Sequence, residues 1–414
     1  MSYECLTEQL SYAKPNPPTQ HIIQNSKLAK QVLQLIKREI AIIAKHPIYI
    51  MCMVVLPWVI TVFFTSLMNE GMPVEIPIGV VDLDNTSTTR KLTRMVDGFQ
   101  SAKVVAHYPS VEEARQAIQR NKIYGFVLFP SGMTGDMISM RQPRMSIYYT
   151  NTSLSAGSLI YKEMKTMCTL ASAGLGQATL QAKGATPGQT KAFLQPIALD
   201  THTVGNPWVS YNIFLSAMLI PACLLLFVFM LTAYSLGTEI KFGTQKEWLK
   251  MADDNIFKAI FFKLLPHTIL FLLVMYGCLT YMFGILHFPA PGGKGMLLLL
   301  GFLSIIAAQG FAVFIFGLIP SLRMSMSVCS LWGVLSFSMV GSAFPVFAMD
   351  APLQSLSYLF PMRHYYKIYQ LCVFNDYPLS DVSIHVIAML CFALLPLLVL
   401  HRIKKSFNEF GYVP

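Results

Sequence analysis

Six long apolar runs constrain this chain more than any other feature of its sequence. Each run is about 20 residues or longer, the length that an α-helix needs to cross the hydrocarbon core of a bilayer. The runs are Ile48–Met68, Val209–Ser235, Ile256–Leu286, Met296–Ile319, Ser325–Phe347 and Ser383–His401. Charged residues make up only 13% of the 414, whereas soluble domains usually have about 25%. The sequence therefore predicts a polytopic α-helical membrane protein with six transmembrane helices.

A long polar interval, residues 69–207, separates the first two runs and alternates between strand and helix patterns. Strands are predicted at Ile76–Asp82, Lys103–His107, Ile123–Phe129 and Met145–Thr150, and helices at Thr86–Phe99, Ser110–Asn121 and Ser153–Ala182. The alternation predicts an α/β domain with a mixed sheet. Asp82 and Asp84 follow its first strand and could be a metal-binding or catalytic pair. No further acid or histidine clusters with them, so helix capping is the favoured interpretation.

Basic residues give these segments an orientation. A polar tail, 1–26, precedes a predicted amphipathic helix, 27–46, whose lysines and arginines lie opposite an apolar face, as is typical of a helix in the headgroup plane. Lysines also fill the loop 237–255, and Arg402, Lys404 and Lys405 precede the tail 406–414. Because positive charge marks the cytoplasmic side, both termini are predicted to be cytoplasmic and the α/β domain extracytoplasmic. The remaining five runs, within 209–405, form one transmembrane domain.

The loop 237–255 carries the densest set of local signals. Thr244 and Glu247 are spaced as a capping box at the start of a short helix that continues with Trp248 and Leu249. Gly243 before it predicts a tight turn. Asp253, Asp254 and Asn255 then supply caps for the next long helix. The predicted loop is a short helix held between two membrane helices.

The same loop carries a family resemblance. Glu239–x–x–x–Gly243–Thr244, then Glu247–Trp248–Leu249 and later Lys263–Leu264–Leu265–Pro266, resembles the cytoplasmic coupling loop of ABC-2 type permeases. Gly79–Val80–Val81–Asp82 resembles part of the outer domain of that family. Two positions depart from the family pattern, because Lys241 stands where a second acid is common and Ala252 where proline is common. These departures leave the docking contacts open.

The resemblance implies the membrane subunit of an ABC exporter of the bacterial inner membrane, moved by a separate ATPase subunit that binds the ATP. This chain would have no cofactor of its own and would work as a homodimer or as a heterodimer with a paralogous permease. Whether a periplasmic adaptor also takes part is left open. The implied ATPase-coupling residues are Glu239, Gly243, Thr244, Glu247, Trp248 and Leu249. Residues that would line the translocation route are Asn212, Ser216, Ser330, Ser338 and Ser342, although helix packing by small residues explains each of these equally well.

Three further positions have alternative interpretations. Glu39 falls on the apolar face of the amphipathic helix, where it would either pair with a neighbouring basic residue or contact the ATPase. Lys263 and His267 could hold Glu239 or lipid phosphate groups, and Lys263 could instead extend to the membrane surface. The segment 349–381, divided by Pro361, is either re-entrant, as in the family, or an interfacial helix.

Several function classes are disfavoured by what the sequence lacks. It contains no GxxxxGK[ST] phosphate loop, no catalytic motif and no CxxC pattern among its eight cysteines. Its net charge of +10 is spread beside apolar runs, which indicates membrane contacts rather than nucleic-acid binding. The predicted spans contain no Asp or Glu, which argues against an ion-driven carrier. The alternative to a permease that moves an amphipathic, drug-like or lipid-like substrate is a non-transporting envelope receptor or secretion scaffold.

Overall fold

The protein is described by a computed structural model covering residues 18–139, 141–195, 206, 209–342 and 344–409, without the side chains of residues 18–29 and 138. Most of the predicted tail 1–26 and the end of the tail 406–414 lie outside these residues. The chain divides into two compact units, which are described separately below. The first, called the membrane unit, comprises residues 1–67 and 213–414. The second, called the outer unit after the placement that the sequence predicts, comprises Met68–Asn212.

Two helices open the membrane unit. Helix α1, Pro18–Lys45, contains the predicted amphipathic helix but begins earlier, at Pro18. Its apolar side chains Leu35 and Ile43 are buried. Helix α2, Pro47–Leu67, is the first predicted span and contains a π-helical turn at Met51–Val55. This turn precedes Pro57, which has no N–H to donate to the preceding turn, and such wide turns relieve that disruption.

The outer unit contains the predicted strands and helices in the predicted order, together with two short helices, Met133–Ile138 and Pro187–Leu194, that were not predicted. In chain order it contains β1 (Ile76–Asp82), α3 (Ser87–Asp97), β2 (Ala102–His107), α4 (Val111–Gln119), β3 (Gly125–Phe129), α5 (Met133–Ile138), β4 (Ser146–Tyr149), α6 (Leu154–Ala182) and α7 (Pro187–Leu194). The sheet order is β2-β1-β3-β4, with β4 antiparallel and the others parallel, so the predicted mixed sheet is confirmed. β1 is central because its Ile, Val and Gly residues are buried on both faces.

The rest of the membrane unit is helical. Its helices are α8 (Asn212–Lys241), α9 (Gln245–Met251), α10 (Ile256–Ile285), α11 (Gly293–Leu318), α12 (Leu322–Met339), α13 (Ala351–Ser357), α14 (Pro361–Ile368) and α15 (Leu379–Glu409). Helix α11 lies at the centre of the membrane unit, because 72% of its most apolar stretch is buried. The broken pair α13 and α14 occupies the predicted re-entrant or interfacial segment and breaks before Pro361 as expected.

The prediction of six spans is supported for five of them. Among the described residues, α2, α8, α10, α11 and α15 are long and apolar enough to cross a membrane. The predicted fifth span, Ser325–Phe347, corresponds to α12, which begins earlier, at Leu322, and ends at Met339. Helix α12 carries several serines and Arg323, which lower its mean hydropathy. It packs along α8, where Gly333 lies against Leu226 and Phe229.

Candidate functional site

The end of α8 shows how the predicted loop 237–255 is built. Helix α8 continues past Ser235 to Lys241, so Glu239 lies inside a helix that could cross the membrane. The predicted span ended at Ser235 and contains no acid, so Glu239 belongs to the extension of the helix beyond that span. Gly243 follows with a φ of 70°, a left-handed conformation that glycine adopts without strain.

The capping box predicted at Thr244 and Glu247 is absent. Thr244 makes no side-chain cap bond to α9, and its hydroxyl instead donates to Glu239 Oε2 at 2.5 Å. Glu239 outcompetes the local cap because its carboxylate accepts a charge-assisted hydrogen bond. The second predicted cap is confirmed, since Asn255 Oδ1 accepts from the backbone N–H groups of Phe257 and Lys258.

Two carboxylates and two cations form a buried network where α1, α8 and α10 meet. Arg38 Nη1 and Nη2 donate to Glu239 Oε1 and Oε2, both at 2.8 Å, in a bidentate pair. Lys263 Nζ lies 2.7 Å from Glu239 Oε1 and 2.8 Å from Glu39 Oε2. We call Arg38, Glu39, Glu239, Lys263 and His267 the charge network. Because Lys263 bridges both acids, the network is a single connected unit.

His267 completes the network on the side of Glu39. Its Nε2 lies 2.9 Å from Glu39 Oε1, and the Ser235 hydroxyl donates to the same oxygen at 3.2 Å. Glu39, Glu239, Lys263 and His267 are each no more than 2% exposed. Buried charges at this depth persist only when they are paired and hydrogen-bonded, a condition that these contacts meet.

Electrostatics keep the carboxylate of Glu39 ionised. Burial by itself would raise the pKa of Glu39, but the charge of Lys263 and the contact with His267 outweigh it and lower the pKa to about 2. The pKa of Arg38 is raised, because its pairing with Glu239 outweighs the opposing effect of burial. Both groups of α1 are therefore charged at neutral pH, and the network joins α1 to α8 and α10 by ionic contacts.

The apolar residues of α9 pack inward beside the charge network. Trp248 is 1% exposed and Leu249 is 2% exposed. The Trp248 ring meets Phe407 of α15 edge to face at 5.5 Å between centroids, and Lys263 Nζ lies 5.5 Å from the centroid of the Trp248 ring. Trp248, one of the residues predicted to couple to the ATPase, is therefore buried within the chain. Its contacts fix α9 to α10 and α15.

The other predicted coupling residues divide by exposure. Gly243 and Glu247 are exposed, Thr244 is half-buried and Glu239 is buried. The exposed side of this segment also contains Phe242, which is 60% exposed, and the lysines of α9. The predicted loop therefore has an inner side that binds the rest of the chain and an outer side that faces away from it.

The predicted route residues lie on α8, on α12 and just after α12, and they differ in exposure. Asn212 and Ser216 are buried, Ser330 and Ser342 are half-buried, and Ser338 is exposed. Ser342 does contact Met218 of α8, with Oγ and Sδ 2.7 Å apart. A role for these residues in a route stays a prediction.

Some members of the charge network were anticipated and others were not. Pairing of Lys263 with Glu239 was one of the predicted alternatives and is confirmed, whereas phosphate binding by this buried lysine and its extension to the membrane surface are contradicted. The Nη1 atom of the neighbouring Arg38 is 4.0 Å from Glu39 Oε2, whereas the closer basic partners of Glu39 lie on α10. Arg38 was missed, although its place beside Glu39 on an amphipathic helix was a usable signal.

The two aspartates of the outer unit hold a turn rather than a metal. The Asp82 carboxylate accepts from the backbone of Asp84 and Asn85 and from the hydroxyl of Thr89. Asp84 accepts from Gly132 and Thr134, and the hydroxyl of Thr134 lowers the pKa of Asp84. The cap of α3 is Thr86. No group of three or more metal-ligating His, Cys, Asp or Glu occurs within the described ranges.

The sequence of the chain is similar to a family of known proteins. The model of one family, described as ABC-2 family transporter protein, matches residues 47–400. No match was found among curated proteins. The matched residues cover most of both units described above and include all six residues predicted from the sequence to couple to a partner.

Proposed function

The chain belongs to the ABC-2 transporter family, and from this premise we propose that it is the permease subunit of an ATP-driven exporter. Family membership implies association with an ABC ATPase subunit. The ATPase would dock on the exposed side of the segment from Phe242 to Lys250. Its closure on ATP would move two permease subunits relative to each other and carry an amphipathic substrate outward.

The observation that carries this proposal is the charge network, because it ties the docking segment to three long helices. Thr244 holds the turn before α9 through Glu239, and Glu239 is held by Arg38 of α1 and Lys263 of α10. At the other end of the docking segment, the Asp253 carboxylate accepts a hydrogen bond from the Gln31 side chain of α1. The backbone carbonyl of Asp254 accepts a hydrogen bond from Lys404 of α15. A push on α9 would therefore be transmitted to α1, α8, α10 and α15 together.

The docking contact itself would come from residues that point away from the chain. Phe242 is the exposed large apolar residue of this segment, and the α9 residues Lys246, Glu247 and Lys250 are exposed and charged. An exposed aromatic residue within a charged rim is typical of the centre of a protein interface. Trp248 and Glu239 would act indirectly, by fixing the segment to the membrane helices.

The apolar surface of the membrane unit supports the proposals of an amphipathic substrate and of a dimer. The sequence contains 24 methionines and 28 phenylalanines, and flexible apolar side chains of this kind accommodate varied ligands. Helix α12 leaves Met324, Leu331 and Val334 more than half exposed. This face would pack against the partner permease or line the route, with the polar Ser330 and Ser338 on the same helix.

The test is the ATP hydrolysis that co-purifies with the chain from its native membrane. The double variant Phe242→Ala with Glu247→Lys should reduce the co-purified activity about tenfold, the loss typical of one removed interface anchor. Phe261→Ala is the matched control, because Phe261 is 52% exposed but lies one turn inside α10. It should retain the activity.

Two results would count against the proposal. Absence of any co-purifying ATP hydrolysis with the unaltered chain would favour the envelope receptor or scaffold. Equal loss in the double variant and in Phe261→Ala would remove the docking role from Phe242 and Glu247.

A further inference from the structure

A cavity of about 390 Å³ lies beside the charge network, between α1, the start of α2 and the last turns of α8. Its polar wall contains Arg38, Lys45 and His46, and its apolar wall contains Ile42, Tyr49 and Tyr234. The volume is within the range of about 300 to 1,000 Å³ that is usual for small-molecule sites. The two walls together suit a ligand with an anionic group and an apolar part.

The charges on the cavity wall favour an anion. Glu239 is the acidic residue among the described lining residues, and its carboxylate is already paired with both Arg38 and Lys263. Lys45 and His46 are exposed, and within the described residues Lys45 has no carboxylate partner. Arg38 is 23% exposed and uses its two terminal nitrogens on Glu239, so further N–H groups of its guanidinium stay available. The wall therefore has an excess of positive charge.

The apolar wall favours an amphiphile over a free anion. The rings of Tyr49 and Tyr234 meet edge to face at 5.6 Å between centroids, and Ile42 and Ala41 continue the surface along α1. Binding a small hydrated anion would leave this surface wet, whereas an acyl or glycerol group would cover it.

The position of the cavity along the chain matches the level of lipid headgroups. Amphipathic α1 ends at Lys45, and the apolar α2 begins at Pro47, so the cavity lies where a basic helix turns into a membrane span. The first turns of α2 expose Ile48, Ile50 and Met51 by 43%, 44% and 50%. These side chains would lie in lipid and place acyl chains next to the opening.

We propose that this cavity binds the phosphate group of an anionic phospholipid from the leaflet on the same side as α1. Lys45, His46 and the free N–H groups of Arg38 hold the phosphate, and Ile42, Tyr49 and Tyr234 cover the glycerol and first acyl carbons. Basic pockets between membrane helices on the cytoplasmic side recognise anionic headgroups in this way. Because Arg38 also holds Glu239, the bound lipid contacts the charge network directly. This binding needs no partner ATPase.

The experiment measures lipid retained by the purified chain with native mass spectrometry after exchange into detergent. Phosphatidylglycerol, phosphatidylcholine and inorganic phosphate are offered separately as probes. The unaltered chain should retain phosphatidylglycerol, with at least fivefold preference over phosphatidylcholine. Lys45→Gln should weaken the retention about fivefold, as expected for one basic residue at a lipid headgroup.

Three variants separate the cavity from the rest of the α1 surface and from its general charge. Ala41→Trp places a large side chain in the cavity and should abolish retention, whereas Ala44→Trp, on an exposed position of the same helix outside the lining, should leave it unchanged. Lys37→Gln removes an exposed α1 charge outside the lining and should also leave it unchanged.

Three outcomes would overturn the proposal. Equal retention of the two phospholipids would remove the role of charge. Equal retention in Ala41→Trp and Ala44→Trp would place the lipid elsewhere. Retention of inorganic phosphate that matches the retention of phosphatidylglycerol would indicate a site for free anions instead.

Discussion

In the membrane unit, Glu39 and Glu239 are 1% and 2% exposed and are held by cations, whereas in the outer unit Asp84 is half-buried and is held by Thr134 and the backbone of Gly132. The partners also differ in their distance along the chain. Lys263 is 224 residues from Glu39, while Thr134 is 50 residues from Asp84. The first arrangement joins helices by charge, and the second closes a turn with neutral donors.

The difference reflects the surroundings of each acid. A carboxylate that water can reach is stabilised adequately by hydroxyl and backbone N–H groups. A carboxylate buried among apolar helices needs a counter-charge, because the removal of one partner leaves an uncompensated charge. The membrane unit therefore depends on each member of its network far more than the outer unit depends on one hydrogen bond. Three changes test this contrast.

The largest effect is expected for Lys263→Met, which leaves two buried carboxylates with one strong counter-charge fewer. The free energy of unfolding should fall by about 3 to 5 kcal/mol. Lys258→Met is the control, because Lys258 is near the start of the same helix and its contact with Asp253 is an outer one of 3.8 Å. It should change stability by less than about 0.5 kcal/mol. Thermal unfolding in detergent measures both, and equal shifts would contradict the importance of the network.

A smaller effect is expected for the coupling between Arg38 and Glu239. In a double-mutant cycle of Arg38→Gln and Glu239→Gln, the interaction energy should be about 1 to 3 kcal/mol. The same cycle with Lys103→Gln and Glu75→Gln tests an ion pair of the outer unit, 3.0 Å long with side chains 51% and 66% exposed. Its coupling should stay below about 1 kcal/mol. Chemical denaturation of the four variants of each pair gives these energies, and similar couplings would erase the contrast.

The smallest effect is expected at the turn of the outer unit. Thr86→Ala removes the cap of α3 and should destabilise that helix by about 1 kcal/mol. Thr93→Ala is the control, because the Thr93 hydroxyl donates to the carbonyl of Thr89 within the same helix. Hydrogen exchange of the amides in the first turns of α3 should rise in Thr86→Ala and not in Thr93→Ala. Unchanged exchange in both variants would show that the turn does not depend on its cap.

The outer unit was largely predictable from the sequence, because its signals are local. The alternation of strand and helix segments placed β1 at the residues observed, and the start of α4 agreed with its Ser110 cap. The loop around α9 was less predictable. Thr244 and Glu247 have the spacing of a capping box, yet the Thr244 hydroxyl donates a hydrogen bond to Glu239. The buried carboxylate of Glu239 binds the hydroxyl more strongly than the N–H groups at the start of α9 would. A local motif was thus overridden by a contact of the neighbouring helix.

The sequence by itself determined the membrane class of this chain, the separate α/β unit and the presence of isolated charged residues on apolar helices. Hydropathy and periodicity carry that information, because burial of apolar side chains follows the repeat of a helix or strand. Only the tertiary structure decided which charges meet. Glu39, Glu239 and Lys263 lie on different helices, and their pairing follows from how those helices pack. Burial then turns these contacts into strong ones, since little water is present to screen them.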